Sequence, residues 1–228
     1  MSLERTLIAF SLSFHEKSKE DISLRVFRTG DHWNAMQRMV RDGNVDVITG
    51  DWLSEMNIAW NAIVKKDDPE LGYEVGFLQQ LEDCIDDIVS KGIKVVTNAG
   101  ALNTPGLTRK VEELCKERGH EKVIVASVLG DDISNLISQP GMSKLLKFPH
   151  LDHVEQSLDT WNLASEIECG VAYLGARGII AALEAGADIV ICGRVTDASP
   201  VIGAASWWYG WKEDSFDELA GALVAGRE

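Results

Sequence analysis

One local pattern recurs four times along this 228-residue chain: a helix ends at glycine, an apolar strand follows, and the strand stops at a small or acidic polar cluster. The four stretches are Asp42–Asp51, Lys91–Gly100, Gly119–Asp132 and Ala185–Ser199. Strands alternating with helices at this spacing predict parallel βα units. In a parallel sheet all four polar clusters emerge on one edge, where open α/β proteins bind their ligands. The pattern therefore predicts a fold class and a set of site candidates together.

Four clear units point to an α/β fold with a mostly parallel, doubly wound, Rossmann-like sheet, incomplete within this chain, rather than to a closed eight-fold barrel. Residues 1–29 read as an irregular N-terminal segment, with short strands near Phe10–Phe14 and Ile22–Val26 around a charged turn at His15–Asp21; residues 30–228 read as the α/β domain. The first helix follows Gly30 and ends at Gly43, and a strand covers 45–49. Ser54 is placed to cap a helix over 54–65 that is apolar on most faces and is therefore expected to be buried. A single long helix is predicted over 73–91, then a strand over 93–97. Thr104 as cap with Pro105 at the first position opens the next helix. Strands follow at 123–129 and 189–192, with helices at 176–185, up to Trp211, and over 216–224. Residues 133–165 break the rhythm and read as an excursion, a lid over the strand edge.

The net charge of −14 repels phosphate backbones and anionic lipid, so neither nucleic acid nor a membrane surface is expected as a partner. The uncharged run Ala198–Trp211 is too short for a membrane span, which takes about 20 apolar residues. The first residues lack the pattern of a signal peptide. Cys84, Cys115, Cys169 and Cys192 form no CxxC pair, and three of them (Cys84, Cys115 and Cys192) sit in apolar patterns as buried small hydrophobes. A reducing, cytoplasmic setting is expected.

Several familiar sites are missing. No GxGxxG follows a strand, so neither a nicotinamide nor a flavin fingerprint is present. No Walker A loop, HExxH or GxSxG elbow occurs. What remains is the strand-end set. Asp131, Asp132, Asp197 and Asn98 are the catalytic candidates, as acid–base groups and, for Asn98, as a donor to an enolate-like oxygen. Arg194 suits a carboxylate or phosphate, with Gly100, Gly193 and Ser199 beside it as substrate contacts. Gly50, Gly100, Gly130 and Gly193 leave room for a ligand against the backbone. Asp51 and Asp131 are candidate ligands for a divalent metal, the one cofactor the pattern suggests. Each residue has a plainer alternative: Asp51 caps the following helix, Asp131 or Asp132 caps a turn, Asn98 bonds only its loop, and Arg194 pairs only with Asp197. His120 suits a helix end, while His150 and His153 are candidates to face the site from the excursion. Trp207 and Trp208 suit a core or an interface.

Six segments, read in order, resemble one known family: Gly50-Asp-Trp-Leu-Ser-Glu-Met56, Leu71-Gly-Tyr73, Val96-Thr-Asn-Ala-Gly100, Gly130-Asp-Asp132, Ala172-Tyr-Leu-Gly-Ala176 and Ala187–Ser199. With the Trp207–Trp211 and Leu219–Gly226 stretches they resemble the N-terminal domain of the AtuA-type acyclic terpene utilisation family, from about Gly30 to Gly226. The resemblance implies an α/β domain linked to catabolism of citronellol- or geraniol-type compounds through acyl-CoA intermediates. It assigns no catalytic residue, although Asp51, Asn98, Asp131, Asp132, Arg194 and Asp197 all lie in matched motifs. It also implies a truncated member, because family chains continue past the position of Gly226 and enter through a glycine-rich loop where Arg28-Thr-Gly30 stands here. The expected function is that of an enzyme, or its remnant, using lyase or hydratase chemistry on a small-molecule acid or acyl-CoA. The alternative is a non-catalytic binding or assembly subunit, docking through its Trp-rich end. A homo-oligomer is expected in either case.

Overall fold

The computed structural model describes residues 10–11, 22–28, 30–139, 148–158 and 167–226. Their sheet has the strand order β1-β2-β3-β4-β6-β5, with β1 Phe10–Ser11, β2 Ser23–Arg28, β3 Val47–Asp51, β4 Lys94–Thr97, β5 Val125–Val128 and β6 Ile189–Cys192. The strands from β2 onward pair in parallel, and only the two-residue β1 is antiparallel. The predicted α/β class and parallel sheet are therefore present. The sheet begins before Gly30, because β2 lies inside it between β1 and β3. The rest of the predicted first strand, the 15–21 turn and the Trp161–Leu163 stretch lie outside the described residues.

Side chains alternate across the strands and build one core on each face. Ile48, Val95, Ile189 and Ile191 point to the first core, with Met36, Phe77, Leu81, Ile85, Leu107 and Val111. Val47, Val96, Val190 and Cys192 point to the second, with Ile179, Leu183, Val201 and Ala204. The first core lies under helices α1 (Ala35–Asp42), α2 (Glu55–Asp67), α3 (Val75–Glu82), α4 (Ile85–Lys91) and α5 (Thr104–Glu117). The short α6 (Ser134–Ile137) follows β5. The second core lies under α7 (Arg177–Glu184), α8 (Ser199–Tyr209) and α9 (Phe216–Ala225). Residues Ile189–Cys192 are all buried, as in a strand covered on both faces.

This arrangement decides where the chain reverses. From β4 the chain passes through α5 on one face to β5 at the sheet's edge, then returns through α7 on the other face to β6. The helices that follow adjacent strands β4 and β6, α5 and α8, thus lie on opposite faces. That is a topological switch point, and the crevice between the two strand ends is the favoured ligand position in such sheets.

Three sequence expectations need correction. The helix predicted over 73–91 is two helices, because Cys84 leaves helical geometry at φ −141°, and its thiol donates to Gln80 O at 3.1 Å. The cap of α5 is Asn103, not Thr104. Its Oδ1 accepts from Gly106 N at 3.1 Å while its Nδ2 donates to the carbonyls of Pro69, Glu70 and Leu71. Helix α2 is not buried all round: Met56 is 80% exposed, Trp60 66% and Ile63 51%. Its inward face instead buries Ile58, Ala62 and the polar Asn61, whose amide donates to Asn57 O at 2.9 Å and Glu74 Oε1 at 2.7 Å. The cap at Ser54 is present, as a reciprocal box with Asn57. Cys84, Cys115 and Cys192 are buried. Among the described residues no helix is long and apolar enough to cross a membrane.

The second core depends on small residues where α7 meets α8. A Cβ at Gly203 would come within 2.6 Å of Ile179 Cγ2, and Ile179 is fully buried. Gly203→Val is expected to lower stability by about 1–3 kcal/mol through overpacking, read as a lower midpoint in urea. An unchanged midpoint would show that the two helices can separate at no cost.

Candidate functional site

The site is built on the C-terminal ends of β3, β4, β6 and β5, which lie side by side in that order. Asp51 ends β3, Asn98 follows β4, Arg194 follows β6 and Asp131 follows β5. The tertiary structure thus brings together four of the predicted residues from segments far apart in sequence.

Asn98 is fully buried between the first two strands. Its Oδ1 accepts from Trp52 N at 2.7 Å, and its Nδ2 donates to Asp51 Oδ1 at 2.7 Å. The amide is therefore committed to holding Asp51 and the loop after β3. The contact with an enolate oxygen expected from the sequence gives way to this positioning task. Asp51 itself is partly exposed. Burial raises its pKa above the usual 3.8, against the lowering effect of the Asn98 bond, and the neighbouring Asp197 carboxylate pushes the same way.

Arg194 is the hub of the edge. Its side chain is 4% exposed. Nη1 donates to Leu53 O at 2.5 Å, Nη2 to Asp197 Oδ1 at 3.2 Å, and Nη2 also lies 3.5 Å from Glu55 Oε1. The Tyr173 ring stacks on the guanidinium at 4.0 Å, and the Tyr173 hydroxyl donates to Glu55 Oε1. That hydroxyl bond holds the exposed Glu55 carboxyl below its ordinary pKa. Among the described residues the buried Nε finds no hydrogen-bond partner. Glu55 and Tyr173 lie within the segments that carry the family resemblance, but their side chains join the site only through tertiary contacts. Three residues separate Glu55 from Asp51, and Tyr173 follows the excursion, so spacing alone gave no sign of either.

Asp131 faces inward. Its Oδ2 accepts the Arg194 backbone N–H at 2.6 Å, and its carboxyl pKa is raised because burial outweighs that bond. It braces the start of the β6 loop. Asp132 is exposed, its Oδ1 accepts from Ser134 N at 2.9 Å, and Lys65 Nζ stands 3.9 Å away. Ser199 is buried, with its hydroxyl 2.5 Å from that of Thr196.

The glycines also differ from expectation. A Cβ at Gly193 would overlap the Asp131 carboxylate, and one at Gly100 would overlap Thr104 Oγ1 and lie 2.6 Å from Cys192 O. These two glycines let protein pack against protein rather than leave room for a ligand. Gly130, at φ +111°, does face open space. Next to Gly100, Ala101 takes φ +45°, a left-handed conformation that costs a non-glycine residue about 1–2 kcal/mol. The loop enforces it through Ala101 N to Asn98 O, Leu102 N to Gly72 O and Asn103 N to Gly100 O.

His120 and His150 are engaged elsewhere. His120 Nε2 is 2.7 Å from Asp86 Oδ1 at the end of α5, and His150 Nδ1 accepts two backbone N–H groups within its own turn. Among the described residues no group of three or more His, Cys, Asp or Glu side chains is placed to hold a metal. Asp51 is held by Asn98 and Asp131 by Arg194 N, and no metal chemistry is routed through them. A cavity of about 550 Å³ opens at the other edge of the sheet, between Ile93, His120, Val123 and Ile189. The charged groups and the topological switch point mark the C-terminal edge, and they identify the candidate site better than concavity does.

Ionised Asp51 weakens the fold. Its raised pKa means that the native state holds the proton more tightly than the unfolded chain. Its contribution is therefore favourable below the ordinary 3.8 and is lost as pH rises through the raised value. Asp51→Asn keeps an acceptor for Asn98 and removes the charge. The variant is expected to be more stable than the parent at neutral pH, with the gap closing in acid, in urea titrations across pH. A gap that is absent or independent of pH contradicts the assigned ionisation.

A family model described as "Acyclic terpene utilisation family protein AtuA" matches residues 28–227, a span that includes every residue of the site. No curated protein and no solved structure matches the chain. By that match over nearly its whole length, the chain belongs to the acyclic terpene utilisation family AtuA.

Proposed function

We propose that this protein is an enzyme acting on a carboxylate or acyl-CoA intermediate of acyclic terpenoid breakdown, by addition or elimination of water, with Asp51 moving the proton. The observation that carries this reading is the Asn98–Asp51 pair beside Arg194: a half-buried carboxyl, aimed by a buried amide, next to the one buried guanidinium among the described residues. The family match supports the link to acyclic terpenes.

In hydration of an α,β-unsaturated acyl group, the oxygen of water bonds to the β-carbon. The double-bond electrons move to form an enolate, and a proton then goes to the α-carbon. A carboxylate that takes the proton from water and returns it to carbon serves both steps. Its efficiency rises as its pKa approaches the working pH, which is the direction burial moves Asp51. Asn98 positions Asp51. Arg194 binds the anionic part of the substrate, because its partners Asp197 and Glu55 are 56% and 80% exposed and can swing aside. Tyr173 keeps the guanidinium plane in place from its stacked position.

The test is turnover of acyclic terpenoid acids and their CoA thioesters by the purified full chain, with products identified by mass spectrometry. Asp51→Asn is expected to lower kcat by about 10²–10⁴-fold. Arg194→Lys is expected to raise KM more than it lowers kcat, since it keeps the charge and loses the planar fork. Full turnover in both Asp51→Asn and Arg194→Ala places the chemistry elsewhere, and the absence of turnover on every acid and thioester removes the reading.

A further inference from the structure

The Arg194 guanidinium is unevenly used. In this planar group Nε–H and one N–H of Nη2 point the same way and form a fork, while Nη1 lies on the other side. Nη1 is committed to Leu53 O at 2.5 Å. The Nε/Nη2 fork is therefore the edge left to hold a carboxylate through two parallel bonds. On that edge Nη2 meets both Asp197 Oδ1 at 3.2 Å and Glu55 Oε1 at 3.5 Å. Nε, in a side chain only 4% exposed, has no acceptor among the described residues. Two carboxylates thus crowd one nitrogen of the fork while its parallel neighbour goes unfilled. A buried donor without an acceptor is costly, and a second oxygen placed beside Nε would remove that cost.

We propose that this fork recognises a free carboxylate carried by the substrate, docked side-on across Nε and Nη2, and that Glu55 determines specificity by standing in for that carboxylate until the substrate arrives. The inference rests on the function proposed above and narrows its substrate class from any anion to a carboxylate. Glu55 is 80% exposed and Tyr173, whose hydroxyl donates to it, is 50% exposed, so the two can turn outward together. An incoming carboxylate then replaces the Glu55 carboxylate charge for charge and adds the bond to Nε. A phosphate monoester does not fit this exchange, because it carries roughly −1.5 to −2 charges at neutral pH. It would meet Asp51, Asp197 and the displaced Glu55 with one guanidinium as compensation. A neutral amide accepts too weakly to displace either carboxylate. The phosphates of a CoA carrier are accordingly not what Arg194 reads.

Calorimetric titration of the purified full chain tests the inference with three saturated probes that cannot react: dihydrocitronellate, its primary amide, and dihydrocitronellyl phosphate. The acid is expected to bind at least about tenfold more tightly than the other two, the scale of a bidentate charge-assisted pair. In arginine-selective nitrogen NMR the Arg194 Nε–H signal is expected to move downfield with the acid and to stay in place with the amide. Glu55→Gln keeps an acceptor for Tyr173 and removes the competing charge. It is expected to bind the acid about two- to fivefold more tightly, the scale of a lost exposed ion pair, and to discriminate less against the phosphate. A residue with only a structural role would not strengthen binding when replaced. Equal affinity for acid and amide or for acid and phosphate, an unmoved Nε–H signal, or unchanged or weaker acid binding in Glu55→Gln overturns the inference. Turnover of CoA thioesters without binding of the free acid sinks this inference alone, whereas acid binding without turnover of any acid or thioester sinks the proposed reaction alone.

Discussion

A guanidinium removed from water has to be paired, and the pairing of Arg194 organises the whole ligand edge of this protein. Its backbone N–H is held by Asp131 from the end of β5, and its side chain reaches Leu53 O after β3. Tyr173 stacks on it, and Glu55 and Asp197 approach from the solvent side. Three strand ends are thereby fixed to one residue. Gly193 has to be glycine for the same reason, since any Cβ there would displace the Asp131 carboxylate. Removing the Arg194 side chain would leave Leu53 O without its partner as well as removing a positive charge, so structure and chemistry are coupled at this position.

The second organising element is Asn98, which connects β3 to β4 as Arg194 connects β3 to β6. Its amide uses both ends, one on the Trp52 backbone and one on Asp51. Between Asn98 and Arg194 lies the switch point, where α5 and α8 leave adjacent strands toward opposite faces. The charged groups therefore gather where the topology already opens the backbone. The strained Ala101 sits in the same loop, as is common where surrounding bonds over-determine a functional segment.

Much of this was legible along the chain. The strands predicted at 93–97 and 189–192 match β4 and β6 within a residue, because an apolar run between glycine and a polar cluster has few other solutions. The break at Cys84 was not legible, since the apolar stripe runs through it without a helix breaker. The exposed stripe of α2 was misread because an all-apolar helix is ordinarily a buried one, and nothing local reports that Asn61 is the residue turned inward. At the site, Asp51, Asn98, Asp131 and Arg194 could be named from their places at strand ends, but Glu55 and Tyr173 could not be placed with them. Their contacts with Arg194 span 139 and 21 residues of chain, and no periodicity records such a separation.

The sequence alone determined the class of fold, the edge on which polar groups emerge and the membership of an acyclic terpene utilisation family, because these follow from local patterns of hydrophobicity, glycine and ordered motifs. Only the tertiary structure decided which task each polar residue has. It turned Asp131 inward as a brace, committed Asn98 to Asp51, and filled the space beside Gly100 and Gly193 with protein. The physical reason is that strand order and side-chain direction are fixed by packing between segments distant in sequence, and the environment of a carboxylate or an amide exists only once those segments meet.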